Sequence, residues 1–115
     1  MKRILVAEDD DLVQDSMKRL LGSPRTDLTF AFDGREALQF LRTGSYDLLI
    51  SDVDMIGMDG VALFRHVREE FPTLRFVFFT GSLDSLRRRV NPLSVPVFDK
   101  LEMRQLRSFV RELTV

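Results

Sequence analysis

The sequence contains no cysteine and no tryptophan, and only one histidine and one tyrosine among 115 residues. The missing thiols exclude disulfides, thiolate metal sites, iron–sulfur ligation and cysteine nucleophiles together, and they fit a reducing compartment. Long apolar runs are also absent. The opening MKRILVAEDD holds four consecutive apolar residues followed by acids, too short for a signal-peptide core and far below the about 20 apolar residues of a membrane span. A cytoplasmic protein without membrane contact is therefore expected. Nor is there an excess charge of one sign, since 17 Lys and Arg face 18 Asp and Glu. The two signs are nevertheless separated along the chain: residues 1–60 carry 7 basic and 12 acidic groups, and residues 86–115 carry 7 and 3. Any nucleic-acid contact would rest on the C-terminal part alone. Repeats, linkers and low-complexity segments are lacking. What is present, 44% hydrophobic and 30% charged residues, is the composition of one globular domain over residues 1–115, large enough to bury roughly two-thirds of its unfolded surface. A two-domain enzyme is excluded.

Apolar runs alternate with helical periodicities. Ile4–Ala7 reads as a strand, and Asp11 with Gln14 has capping-box spacing ahead of Val13, Met17, Leu20 and Leu21, a helix stopped by Gly22 and Pro24. Leu28–Phe32 reads as the second strand. Asp33 and Glu36 repeat the cap spacing before Ala37, Leu38 and Leu41, with Gly44 placed to end the helix. Tyr46–Ser51 is the third strand, and Val61, Phe64, Val67 and Phe71 form the stripe of a third helix closed by Pro72. Leu74–Phe79 is the fourth strand, followed by a short helix from about Ser82 to Val90. Val95–Phe98 is the fifth strand, and Leu106, Phe109, Val110 and Leu113 mark the last helix. Five nearly continuous apolar strands alternating with five helices predict an α/β protein with a parallel sheet covered on both faces, doubly wound by right-handed crossovers.

In such a sheet ligands bind beyond the carboxyl ends of the strands. The residues there are Glu8 and Asp9 after strand one, Asp52 after strand three, Thr80 after strand four and Lys100 after strand five. Gathered carboxylates repel one another unless a cation intervenes. With oxygen ligands only, Mg²⁺ is the expected ion. A lysine and a threonine hydroxyl beside it suit the oxygens of a transferred phosphoryl group. The pattern points to phosphoryl transfer onto a carboxylate.

Four segments in order, ILVAEDD, YDLLISDVDMIGMDG, FVFFTG and VFDK, resemble the response-regulator receiver domain of two-component signalling along essentially the whole chain. The resemblance implies a flavodoxin-like receiver fold with strand order 2-1-3-4-5. It implies that Asp52 accepts the phosphoryl group and that Glu8 and Asp9 bind Mg²⁺ directly or through water. Asp54 would add its backbone carbonyl to the metal, Thr80 would bond a phosphoryl oxygen, and Lys100 would pair with the phosphoryl group or with Asp52. The donor would be a phosphohistidine on a sensor histidine kinase or a histidine phosphotransfer protein, and the receiver would catalyse only its own modification. A downstream protein would dock on the face formed by helix 4, strand 5 and helix 5, and a homodimer is left open. Direct nucleic-acid binding is not expected, because the arginines lie on helices the fold already uses.

Several residues carry a plainer reading or depart from the family pattern. Asp10 and Asp11 read as helix caps, although a metal pair of Asp9 with Asp10 is the competing register. Asp59 reads as a turn or cap residue, His66 as a solvated side chain between Arg65 and Arg68, and Arg87–Arg89 as a solvated face or an anion patch. Ile56 and Leu101 stand where the family has proline. A trans peptide before Leu101 is expected, with Lys100 placed somewhat differently as a result. Val97 occupies the position of the family's switch aromatic, with Phe98 beside it, while Pro92 and Pro96 suggest a truncated fourth helix. Two other functions compete: a degenerate receiver that docks partners without phosphorylation, and a phosphatase of the haloacid-dehalogenase type reading Asp52-Val-Asp54-Met-Ile56 as its nucleophile motif. The second places its motif too late in too short a chain.

Overall fold

The computed structural model describes residues 1–91 and 94–113. Five strands alternate with five helices: β1 (Lys2–Ala7), α1 (Asp11–Leu21), β2 (Thr26–Ala31), α2 (Gly34–Thr43), β3 (Leu48–Ser51), α3 (Gly60–Glu70), β4 (Arg75–Thr80), α4 (Leu83–Arg89), β5 (Val97–Asp99) and α5 (Met103–Leu113). All pairings are parallel, in the order β2-β1-β3-β4-β5. The chain turns outward from β1 to β2 and then crosses back to β3, so β1 and β3 flank the point where the winding reverses.

Alternation within each central strand divides the core in two. Leu5, Ala7, Leu49, Phe76 and Phe78 face one side and pack with Ala37, Leu38, Leu41, Val61, Phe64, Val67 and Leu86 from α2, α3 and α4. Ile4, Val6, Leu48, Ile50, Val77 and Phe79 face the other, against Met17, Leu21, Leu106 and Val110 from α1 and α5. Phe64, Phe76 and Phe78 form a ring cluster with centroids 4.9 to 5.6 Å apart in tilted and edge-on contacts, the geometry that aromatic quadrupoles favour.

The elements match the sequence pattern with local corrections. Asp10, not Asp11, caps α1, accepting from the amides of Leu12 and Val13, while Gln14 turns inward instead of closing a capping box. Asp33 does cap α2, accepting from the Glu36 amide at 2.8 Å, and Glu36 reaches back to the Phe32 amide at 3.0 Å, one residue before the cap that a capping box would use. β2 begins at Thr26 and ends before Phe32, and it is half-buried rather than continuously apolar because it is an edge strand. β3 begins at Leu48 rather than Tyr46. β5 spans Val97–Asp99 rather than Val95–Phe98; the buried Val95 precedes it as a core residue outside the ladder. Gly44 ends α2 in extended geometry, not the left-handed one. α4 is short, as Pro96 suggested, and Pro92 lies outside the described residues. Among the described residues no helix is long and apolar enough to cross a membrane.

Candidate functional site

The backbone ladder continues one residue past the strand ends and thereby sets the site. The Glu8 amide donates to the Ala31 carbonyl (2.9 Å), that of Asp52 to Ala7 (3.0 Å) and that of Lys100 to Thr80 (3.1 Å). Glu8, Asp52, Thr80 and Lys100 thus arrive on one edge of the sheet from four different strands. Register, rather than proximity in sequence, brings them there.

Lys100 lies at the centre. Its ammonium donates to Glu8 Oε1 and to Asp52 Oδ2, each at 2.9 Å. The two carboxylate side chains are only 4% and 10% exposed. Asp52 Oδ1 accepts from the amide of Val53 at 2.7 Å, and the Ser51 hydroxyl donates to the Asp52 carbonyl at 2.7 Å. Glu8 Oε2 accepts from the Asp10 amide, while the buried Gln14 amide group donates to the Glu8 carbonyl at 2.7 Å. Burial raises the Glu8 carboxyl above its ordinary value; the bond from Lys100 opposes this and the nearby charge of Asp52 adds to it. Burial alone would lower Lys100, but its hydrogen bonds to Glu8 and Asp52 and their charges outweigh that and raise it. A trans backbone before Leu101 is present as expected, since no described peptide bond is cis, and the ammonium reaches both acids.

The remaining site residues form the mouth. Asp9, half-buried, accepts from the Ile56 amide at 3.1 Å, so the loop after β3 closes toward it. Asp54 is exposed at the rim, and its carboxylate accepts from the Ser82 hydroxyl across the opening. Thr80 is fully buried, its hydroxyl oxygen accepting from the Ser82 amide at 2.9 Å. Beyond Thr80 the chain is small, since a Cβ at Gly81 would meet nothing within 4 Å. Gly60 has the opposite role: a Cβ there would lie 1.8 Å from the Asp52 carbonyl oxygen, so only glycine lets α3 begin this close to the acid. Gly57, at φ 78°, makes the turn between them.

All five residues inferred from the strand ends, together with Asp54, are brought to this edge. Among the described residues, however, no three acidic or histidine side chains are gathered into a ready cation cage: Glu8 is turned to Lys100 and Asp9 to the loop amide. Asp10, the other acid of the competing Asp9–Asp10 register, caps α1 through one carboxylate oxygen. Asp59 caps α3 through the Ala62 amide and pairs with Arg89 at 2.8 Å. His66 and Arg87–Arg89 are exposed. Arg89 is held by Asp59 and so is not free to join Arg87 and Arg88 in an anion patch. Sequence reasoning passed over Ser82 and the inward role of Gln14. A serine two residues after Thr80 offers no signal of its own until the loops are placed in space.

A doubly wound sheet with acids after β1 and β3, a threonine after β4 and a lysine after β5 defines a receiver-type α/β protein. Comparison with known proteins agrees: the family model of the response regulator receiver domain matches residues 4–101. The response regulator receiver protein CpdR of Brucella abortus is 36% identical over 81 residues, 70% of this chain and 68% of CpdR. The transcriptional regulatory protein DltR of Streptococcus agalactiae is 31% identical over 79 residues, 69% of this chain. The chain spans only about a third of DltR's length, 35%. Among solved structures, the response regulator TrrA of Thermotoga maritima in complex with Mg²⁺-BeF superposes with a TM-score of 0.85 at 25% identity, covering 98% of this chain and 99% of that one. The chain belongs to the response regulator receiver domain family of two-component systems.

Proposed function

We propose that this chain is a phosphoacceptor switch, taking a phosphoryl group from a phosphohistidine onto Asp52 and changing its affinity for a partner in consequence. The observation that carries this reading is the Lys100 ammonium held 2.9 Å from both Asp52 and Glu8. It pairs the nearly buried nucleophile with a counter-ion and leaves a cation in place for the phosphoryl oxygens. A carboxylate oxygen of Asp52 would attack phosphorus as the phosphorus–nitrogen bond to the donor histidine breaks, with the electron pair leaving on that nitrogen. Lys100 would then pair with the phosphoryl group, and the Thr80 hydroxyl would donate to one of its oxygens. The donor is a sensor histidine kinase or a histidine phosphotransfer protein. The chemistry is confined to the chain's own modification and its reversal, in the cytoplasm and without direct nucleic-acid contact.

Glu8, Asp9 and Asp52 are oxygen donors of the kind Mg²⁺ takes, and would serve once Glu8 turns from Lys100 and Asp9 from the Ile56 amide. Lys100 offsets one charge of Glu8, Asp9 and Asp52, which leaves oxygen ligands and negative charge for a hard divalent ion. Glu8, Asp9 and Asp52, with the backbone carbonyl of Asp54, would hold it. When bound, it neutralises charge on the phosphoryl oxygens.

Intact-mass measurement after exposure to a small-molecule phosphoryl donor tests the proposal. A gain of one phosphoryl group that requires Mg²⁺ and disappears in Asp52→Asn is expected. No gain in the folded protein, from this donor or from a phosphohistidine protein, would overturn it and leave the alternative reading of a docking module independent of phosphorylation. That alternative draws on Val97, only half-buried where the family pattern has an aromatic, and on the 94% exposed Leu101. The partner-binding face would be α4, β5 and α5 in either case.

A further inference from the structure

Ser82 is the N-cap residue of α4, yet its hydroxyl makes no cap bond to the helix. Serine at this position ordinarily accepts from an amide of the first turn, and forgoing that weakens the helix. Here the hydroxyl donates instead to Asp54, on the loop that follows the candidate acceptor. The backbone of the same residue donates to Thr80 Oγ1 at 2.9 Å. Ser82 therefore joins the threonine hydroxyl, the rim carboxylate and the start of α4. The far end of α4 is fastened to the same loop by the Arg89–Asp59 pair at 2.8 Å, and to α3 by Arg65, which donates to the Arg89 carbonyl at 3.4 Å. Between these two ends Leu86 is the only fully buried residue of α4. A seven-residue helix with one core anchor is held in place by its polar bridges rather than by its apolar face.

We infer that Ser82 is a positioning residue that latches α4 to the Asp54–Asp59 loop, with the Arg89–Asp59 ion pair as the pivot about which the helix swings when the latch opens. The latch is the end that opens, because it is one hydroxyl bond at the exposed rim, whereas Asp59 is held by both Arg89 and the Ala62 amide. This rests on the phosphoacceptor reading only for the trigger: a phosphoryl group on Asp52 takes the space beside Asp54 and draws the Thr80 hydroxyl, which carries the Ser82 amide, toward itself as a donor. The bridges themselves belong to the unmodified protein.

Amide hydrogen exchange over residues 83–89 reads the latch directly. Ser82→Ala and Asp54→Ala are each expected to speed exchange there about fivefold, and Ser82→Thr, which keeps the hydroxyl, to restore it. Ser82→Asp separates the latch from ordinary helix capping. Aspartate is a good N-cap, so a capping role predicts slower exchange, while the latch predicts faster exchange through repulsion from Asp54. Arg89→Gln should loosen α4 further when combined with Ser82→Ala. Unchanged exchange in both Ser82→Ala and Asp54→Ala, or slower exchange in Ser82→Asp, overturns the inference. In a second arm, the phosphoryl donor with Mg²⁺ should speed exchange in the native protein and add little in Ser82→Ala. Modification proved by mass without that rise would overturn the swing of α4, whereas absence of modification with the first arm intact would overturn the phosphoacceptor reading alone.

Discussion

Replacing Lys100 by methionine leaves the stem of the side chain and removes its charge. Glu8 and Asp52 then remain as two neighbouring carboxylates, 4% and 10% exposed, without their counter-ion. Breaking a fully buried ion pair costs about 3–5 kcal/mol. Lys100 is 28% exposed, so water relieves part of that, and a loss of about 2 kcal/mol at pH 7 is expected, against a total of roughly 5–15 kcal/mol for a domain. The loss should depend on pH with a definite sign. Burial already raises the Glu8 carboxyl, and the Lys100 bond holds it down; without the lysine it rises further. The folded variant then keeps a proton that the unfolded chain releases, so stability falls as pH rises through the unfolded value toward the folded one. The deficit relative to the native protein is therefore largest at neutral pH and shrinks toward pH of about 4.5. Urea denaturation followed by far-ultraviolet circular dichroism at the two pH values measures it. A loss below about 0.5 kcal/mol, within the scatter of ordinary surface substitutions, or one equal at both pH values, would refute the argument.

Three further outcomes are expected. Gly60→Ala forces a methyl group against the Asp52 carbonyl and should cost about 1–3 kcal/mol or more while disturbing the acceptor, seen as a lower melting temperature together with slower phosphoryl gain; normal values of both would contradict the close approach. Phe78→Ala, which removes one fully buried ring of the three-ring cluster, should cost about 3–5 kcal/mol in the same denaturation experiment. The amides of Ala62 and Val61 and the Arg89 ion pair, working against burial, hold Asp59 below its ordinary value, so its contribution is present at neutral pH and is lost as pH falls through the folded value. Asp59→Asn keeps a cap acceptor and loses the ion pair, so its stability difference from the native protein should vanish in strong acid, and a constant difference would count against the pairing.

The strand–helix alternation was legible because burial imposes its period on the sequence, whereas the strand order came from the family resemblance alone. Leu48-Leu49-Ile50 and Phe76–Phe79 are apolar on both faces, as only strands covered by two helical layers need be. The chemistry of the site was legible for a related reason: in a parallel sheet the residue after each strand is carried to the same edge, so Glu8, Asp52, Thr80 and Lys100 could be named before their distances were known. Edges and caps were less legible. β2 mixes Thr26, Asp27 and Thr29 with apolar residues because one side of it has no neighbour. Asp10 and Asp11 are equally good caps by composition, and the Glu8 and Gln14 contacts choose between them.

By itself the sequence determined the layers, the winding and the set of groups at the site, since these follow from local period and from position relative to strand ends. Only the tertiary structure decided their pairing: that Lys100 spans Glu8 and Asp52, that Asp9 closes on Ile56, that Gly60 must be bare, and that Ser82 reaches Asp54 rather than capping its own helix. Each of these contacts joins residues from different elements at angles and separations set by sheet twist and helix packing. No local pattern encodes them, because their partners meet only when the five strands are in register.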